Sequence, residues 1–254
     1  MYEIILFDLD DTLLDFSGSE NKSLLSIYQI FYRSIVFEHF VATFKEINSA
    51  LWKRVEAREN ALTPGDLRLI RFEQLNEALD CRIEAMTIAE EYEICLGEYA
   101  DWIPGAKSTI EFLHQRGHTL GIVTNGLVSV QDRKYDRHEL GKWFDCFIVS
   151  DRVGVAKPNQ EIFDCAFEEI AAKHSLASSS LRTKSMLMVG DSIPSDGHSA
   201  ANLGIDFCFI NDKAMEISQC ELIIKHEIQS VAQLPVCLGY KDEQVRYGPQ
   251  PVLV

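Results

Sequence analysis

From about residue 102 onward the chain alternates between short apolar runs and stretches of helical spacing, and this rhythm limits the fold more than any other feature. A helical segment over 106–116 ends at Gly117 and leads into the strand-like run Thr119–Val123. Similar runs follow at Phe144–Val149, Ser185–Val189 and Phe207–Ile210, with helices predicted over about 159–173 and 196–203. Ile223–Ile224 reads as a last short strand. A further run, Glu3-Ile4-Ile5-Leu6-Phe7, stands at the start. Continuous apolar runs too short for a helix read as strands buried on both faces. Repeated strand–helix alternation implies a parallel, doubly wound sheet, so the fold class is α/β.

The segment from about 17 to 100 breaks the rhythm. Leu24, Leu25, Ile27, Tyr28, Phe31 and Tyr32 recur at helical spacing, as do Leu67, Ile70, Phe72, Leu75 and Leu79. Thr63-Pro64-Gly65-Asp66 is a helix start, with Thr as N-cap, Pro at the first helical position and an acid three residues after the cap. The expected organisation is therefore an α/β core from 1–16 and 101–237. A helical insertion occupies 17–100, and an irregular tail, 238–254, contains Gly248-Pro249-Gln250-Pro251.

Charge and cysteine usage narrow the function classes. A formal net charge of -15 disfavours duplex nucleic acid and anionic membrane surfaces, both of which require clustered positive charge. A small anionic ligand stays compatible where a metal, a lysine or backbone amides supply a local positive field. Seven scattered cysteines form no C-x-x-C pair, and neither a zinc site nor a disulfide framework is indicated. The absence of a basic leader and of a spanning apolar run points to a soluble cytoplasmic protein.

Four polar clusters sit at or just beyond the predicted strand ends, where loops of a doubly wound sheet converge. The first is Asp8-Leu9-Asp10-Asp11-Thr12. At strand periodicity Asp8 and Asp10 face the same way and repel, which a divalent cation would relieve. An acidic turn capping the strand is the plainer account. The second, Thr124-Asn125-Gly126, offers a hydroxyl, an amide and turn N–H groups suited to phosphate, although a turn alone has the same composition. Lys157-Pro158 follows Val149-Ser150-Asp151. The last cluster is Gly190-Asp191-Ser192-Ile193-Pro194-Ser195-Asp196.

Taken in order, Asp8-x-Asp10-x-Thr12, Thr124-Asn125-Gly126, Lys157-Pro158 and Gly190-Asp191-x-x-x-x-Asp196 resemble the haloacid dehalogenase superfamily. Flanking residues agree, among them Ser150–Gly154, Glu161-Ile162-Phe163 and Ala201–Ile205. The resemblance implies a Rossmannoid core and phosphoryl chemistry. Asp8 would be the nucleophile, forming an aspartyl-phosphate, and Asp10 the general acid and base. Mg²⁺ would be held by Asp8, the backbone carbonyl of Asp10, and Asp191. Lys157 would neutralise charge, Thr124 and Asn125 with Gly126 would hold the phosphoryl group, and Asp196 would orient water or Lys157. Dehalogenases do not need an acid at position 10, so a phosphotransferase is implied. Gly197 and Ser199 depart from the family pattern in the helix after Asp196, and His198 reads as a surface or satisfied histidine.

The 17–100 insertion falls where this superfamily carries a helical cap, implying a covered site and a small phosphorylated metabolite as partner. Leu51-Trp52-Lys53-Arg54, Thr63-Pro64-x-x-Leu67-Arg68 and Arg71-Phe72 look like the pyrimidine 5′-nucleotidase branch. Arg54/Arg58 and Arg68/Arg71 are like-charge pairs at helical spacing, which hints at an anionic ligand. Pairing with Glu56, Glu59 or Glu73 on a solvated face explains them as well. The expectation is a Mg²⁺-dependent phosphatase for a nucleoside 5′-monophosphate. A sugar phosphate or phosphoglycolate phosphatase, a phosphomutase and a non-catalytic binding protein are the alternatives.

Overall fold

The computed structural model describes residues 2–177, 181, 185–216 and 222–241. Six strands form one sheet: β1 (Ile4–Phe7), β2 (Thr119–Thr124), β3 (Cys146–Val149), β4 (Met186–Gly190), β5 (Asp206–Ile210) and β6 (His226–Ile228). All pairings are parallel, in the order β3-β2-β1-β4-β5-β6. Alternate residues of each central strand feed opposite cores. Ile5, Phe7, Leu120, Ile122, Leu187 and Val189 pack on one face, and Ile4, Leu6, Val123, Met186 and Met188 on the other. That double burial is why these strands read as unbroken apolar runs.

The last strand differs from the sequence expectation. Ile223 is 89% exposed, and the pairing residues are His226, Glu227 and Ile228 opposite Cys208, Phe209 and Ile210. β6 lies at the sheet edge and only Ile228 is buried within it, so it lacks the apolar continuity by which the inner strands declare themselves.

Ten α-helices accompany the sheet among the described residues. Four lie between β1 and β2: α1 (Phe16–Phe31), α2 (Phe37–Glu56), α3 (Leu67–Ala78) and α4 (Ala85–Tyr99). The others are α5 (Ala106–Gln115), α6 (Val128–Arg137), α7 (Ser150–Val153), α8 (Glu161–Lys173), α9 (His198–Leu203) and α10 (Leu234–Cys237). None is long and apolar enough to cross a membrane.

The Asp15 carboxylate caps α1 by accepting from Gly18 N at 2.8 Å. Asp66 closes the predicted start before α3, accepting the Thr63 N–H at 2.8 Å and its hydroxyl at 2.6 Å. The helical block has its own core of Leu24, Ile27, Phe40, Phe44, Phe72 and Tyr92, to which α6 adds Leu127 and Val130. Helix α6 thus packs on the block while following directly from β2.

The chain beyond residue 237 is docked as far as it is described. Tyr240 sits edge-on to Phe112 with ring centroids 5.1 Å apart, and its hydroxyl lies 2.8 Å from His118 Nε2. His118 Nδ1 lies 2.8 Å from the Tyr2 carbonyl, so it must donate there and Nε2 accepts from Tyr240. Residues 242–254, which include the Gly248–Pro251 motif, lie outside the described residues.

Phe44 lies between Phe72 and Tyr92, at centroid distances of 5.8 and 5.2 Å, and is fully buried. Phe44→Ala should therefore destabilise the protein by about 3–5 kcal/mol, the range for emptying a buried aromatic site. Urea unfolding checks this, and a loss below about 1 kcal/mol would mean that the cluster collapses onto the cavity.

Candidate active site

Asp8 is the first residue beyond β1, and its N–H still donates to Val189 O of β4 at 2.9 Å. It stands at the centre of the sheet, where the strand order reverses and the flanking loops part. Lys157 reaches it from the loop after α7. Its Nζ donates to Asp8 Oδ1 at 2.6 Å and to Asp196 Oδ1 at 2.7 Å, and all three side chains are buried.

The lysine is held by its backbone as well. Asn125 Oδ1 accepts from Lys157 N at 2.8 Å, and Asn125 Nδ2 donates to Lys157 O at 3.1 Å. The side-chain amide of Asn125 is thereby committed to the lysine loop. Likewise Gly126 N donates to Ser150 Oγ at 3.0 Å, which ties the β2 turn to the end of β3.

Asp196 enters through a wide π-type helical turn, Ile193–Gly197, preceding α9. Its Oδ2 accepts from Ser192 N at 3.2 Å. A Cβ on Gly190 would lie 2.1 Å from that same oxygen, so glycine at the end of β4 is what admits the carboxylate. Gly197 packs against Phe207, Ser199 Oγ donates to Ser195 O at 2.7 Å, and His198 is exposed to solvent.

Asp8, Asp191 and Asp196 each place an oxygen within 4.8 Å of the others. Burial pushes Asp8 up to about 7, with Lys157 pulling the other way and Asp196 adding repulsion. Asp191 is pushed up to about 8 by burial and then by Asp8 and Asp196. Burial alone would lower Lys157, but the Asp196 and Asp8 carboxylates outweigh it and hold the ammonium charged. Three converging carboxylates faced by one ammonium form an under-neutralised oxygen cage, the donor chemistry of a hard divalent cation such as Mg²⁺.

The Asp10 carboxylate is engaged elsewhere. Its Oδ1 accepts from Lys134 Nζ at 2.6 Å and its Oδ2 from Gln131 Nε2 at 3.0 Å. The same Gln131 nitrogen lies 2.9 Å from Thr124 Oγ1. Sequence reasoning misses both α6 residues. The available signal is a polar pair one helical turn apart on the helix that follows Thr124-Asn125-Gly126. What that pair meets lies more than a hundred residues away along the chain.

Above Asp10 lies a cavity of about 150 Å³, walled in part by the helical block, with Phe16, Trp52, Tyr92 and Arg71 among its lining residues. Of the four arginines picked out by the sequence, only Arg71 lines it. Arg71 is buried, donates to Leu67 O at 2.8 Å and Asn48 Oδ1 at 3.2 Å, and its Nη2 has no hydrogen-bond partner among the described residues. Arg68 is 2.9 Å from the buried Glu93. Arg54 lies 3.7 Å from Glu59, and Arg58 is 2.7 Å from Glu161, both in exposed pairs away from the cavity. Moreover, α2 ends at Glu56 and Arg58 has a left-handed backbone, so the predicted Arg54/Arg58 helical pair does not form.

This geometry has counterparts among known proteins. Residues 2–204 match the family model of haloacid dehalogenase-like hydrolases. The chain is 32% identical over 212 residues to the pyrimidine 5′-nucleotidase YjjG of Escherichia coli, covering 83% of this chain and 86% of that protein. It is 27% identical to the glyceraldehyde 3-phosphate phosphatase of Pyrococcus furiosus over 80% of this chain and 78% of that one. The magnesium-bound crystal structure of YfnB from Bacillus subtilis superposes with a TM-score of 0.77 at 28% identity, covering 94% of this chain and 99% of that one. With its sheet order, its four strand-end clusters and a match across most of its length, the chain belongs to the haloacid dehalogenase-like hydrolases.

Proposed function

We propose that the protein is a Mg²⁺-dependent phosphomonoesterase whose nucleophile is Asp8. The observation that carries this reading is the Asp8–Lys157–Asp196 arrangement at the sheet's switch point, with Asp191 beside it and Asp10 one strand period away. Asp8 would attack phosphorus, and Asp10 would protonate the departing oxygen and later take a proton from water. Lys157 would neutralise the charge crowded between nucleophile and phosphoryl oxygens, and the Thr124 hydroxyl would donate to those oxygens. Asp8, Asp191 and the Asp10 carbonyl would hold Mg²⁺, with Asp196 fixing Lys157 behind them. When bound, the ion supplies positive charge to the reacting phosphate.

The substrate we infer is a nucleoside 5′-monophosphate. The cavity above Asp10 is walled by the rings of Phe16, Trp52 and Tyr92, flat surfaces suited to a heterocycle. Arg71, which lines this cavity, would meet an acceptor on the leaving group. The resemblance to YjjG points the same way, whereas the resemblance to a triose-phosphate phosphatase favours a smaller leaving group. The helical block would act as a cap that shuts out water over this cavity.

The test is phosphate release with Mg²⁺ from nucleoside monophosphates, sugar phosphates and phosphoglycolate. Pyrimidine monophosphates should be preferred, and preference for a sugar phosphate would discard the nucleotide assignment while keeping the chemistry. Asp8→Asn should abolish turnover while leaving the fold intact. EDTA should do the same reversibly, and full activity in EDTA would refute the metal-dependent mechanism.

The acid cluster also sets a pH dependence. Folded, Asp8 and Asp191 keep protons up to about pH 7 and 8, whereas in the unfolded chain carboxyl groups release them near their ordinary pKa of about 4. Between these limits the native state binds more protons, so metal-free stability should fall as pH rises through that window. Mg²⁺ relieves the repulsion, so its upward shift of Tm should be larger at about pH 8 than at about pH 5.5. Equal shifts at both pH values would show that these carboxylates are not the metal site.

A further inference from the structure

We infer that Lys134, with Gln131, is the positioning device for the Asp10 carboxylate, an inference that rests on the phosphatase reading above. Lys134 is completely buried, a rare state for a lysine, and among the described residues its charge is answered by one carboxylate, that of Asp10 at 2.6 Å. The aliphatic–aromatic environment supports the same placement, with Nζ 5.4 Å from the centre of the Phe16 ring. Gln131 lies one helical turn earlier on the same face of α6, holds the other Asp10 oxygen, and links it to Thr124. Both oxygens of Asp10 are therefore oriented from a single rigid helix, which is itself locked to the helical block through Leu127 and Val130.

The arrangement has a chemical consequence. In the first half-reaction an Asp8 oxygen bonds to phosphorus, the bond from phosphorus to the ester oxygen breaks, and the Asp10 proton passes to that oxygen. Asp10 is left as a carboxylate against the Lys134 ammonium, so the charge that develops on it is met by a cation already in place. In the second half-reaction a water oxygen bonds to phosphorus, its proton goes to Asp10, and the bond to Asp8 breaks. Lys134 borders the cavity above Asp10, but it makes or breaks no bond and transfers no proton in this scheme. It acts through Asp10, and its removal should hurt the reaction in proportion to how much the leaving oxygen needs a proton.

The test compares kcat/KM for p-nitrophenyl, phenyl and benzyl phosphate, whose leaving oxygens depend increasingly on protonation. Lys134→Met should lower kcat/KM for benzyl phosphate by about tenfold or more beyond its effect on p-nitrophenyl phosphate, within the range that a positioned general acid supplies. Gln131→Leu should shift the same ratio in the same direction, and it carries the test if Lys134→Met fails to fold by circular dichroism. Equal losses on all three esters, or no loss, would make Lys134 a purely structural residue and overturn the inference. Absence of turnover by the unmodified enzyme on every ester would instead overturn the phosphatase reading, and this inference with it.

Discussion

One buried ammonium organises the candidate active site. Lys157 Nζ is shared between Asp8 from the end of β1 and Asp196 from the turn after β4, at 2.6 and 2.7 Å. Neither carboxylate could be buried as an anion without it, because an unpaired buried charge costs several kcal/mol. The surrounding structure secures that one group. Asn125 clamps its backbone on both sides, and Gly190 leaves the space that Asp196 occupies. The parallel sheet brings the two acids to the same, C-terminal end of its central strands. Even so, one lysine cannot neutralise Asp8, Asp191 and Asp196 once all three are ionised, and this excess of carboxylates over ammonium is what suits the cluster to a divalent cation.

Helix α6 couples the two halves of the molecule. Leu127 just before it and Val130 on one face join the core of the helical block, and another face sends Gln131 and Lys134 to Asp10. Gly97 of α4 lets that helix approach closely, since a Cβ there would stand 2.7 Å from Arg133 Cβ. Asp10 and the cavity walls above it thus share one support.

The cavity itself is assembled from distant parts of the chain. Phe16 opens α1, Trp52 lies on α2, Arg71 on α3 and Tyr92 on α4, while Asp10 and Gln131 close the lower end. Arg71 sits 5.7 Å from the Tyr92 ring centre and is fixed by Leu67 O and Asn48. Its neighbours Arg54 and Arg58, equally conspicuous in the sequence, end in exposed ion pairs of the kind worth about 0–1 kcal/mol.

Much of the fold and of the acid–lysine cluster was legible in the sequence because both rest on local rules. Strands buried on two faces must be continuously apolar, and reactive groups of such a sheet must follow those strands. Asp8, Thr124 and Asp191 could therefore be located by counting from Phe7, Val123 and Val189. Edge strand β6 escaped because only one of its residues is buried. The partners of Asp10 escaped for another reason. A polar side chain on a helix carries no record of whether it faces solvent or a carboxylate more than a hundred residues away. The sequence determined which groups are present and which strand ends carry them. Tertiary packing alone decided which lysine meets which acid, and which arginine lines the cavity, because pairings between distant segments exist only once helices and sheet have been laid against one another.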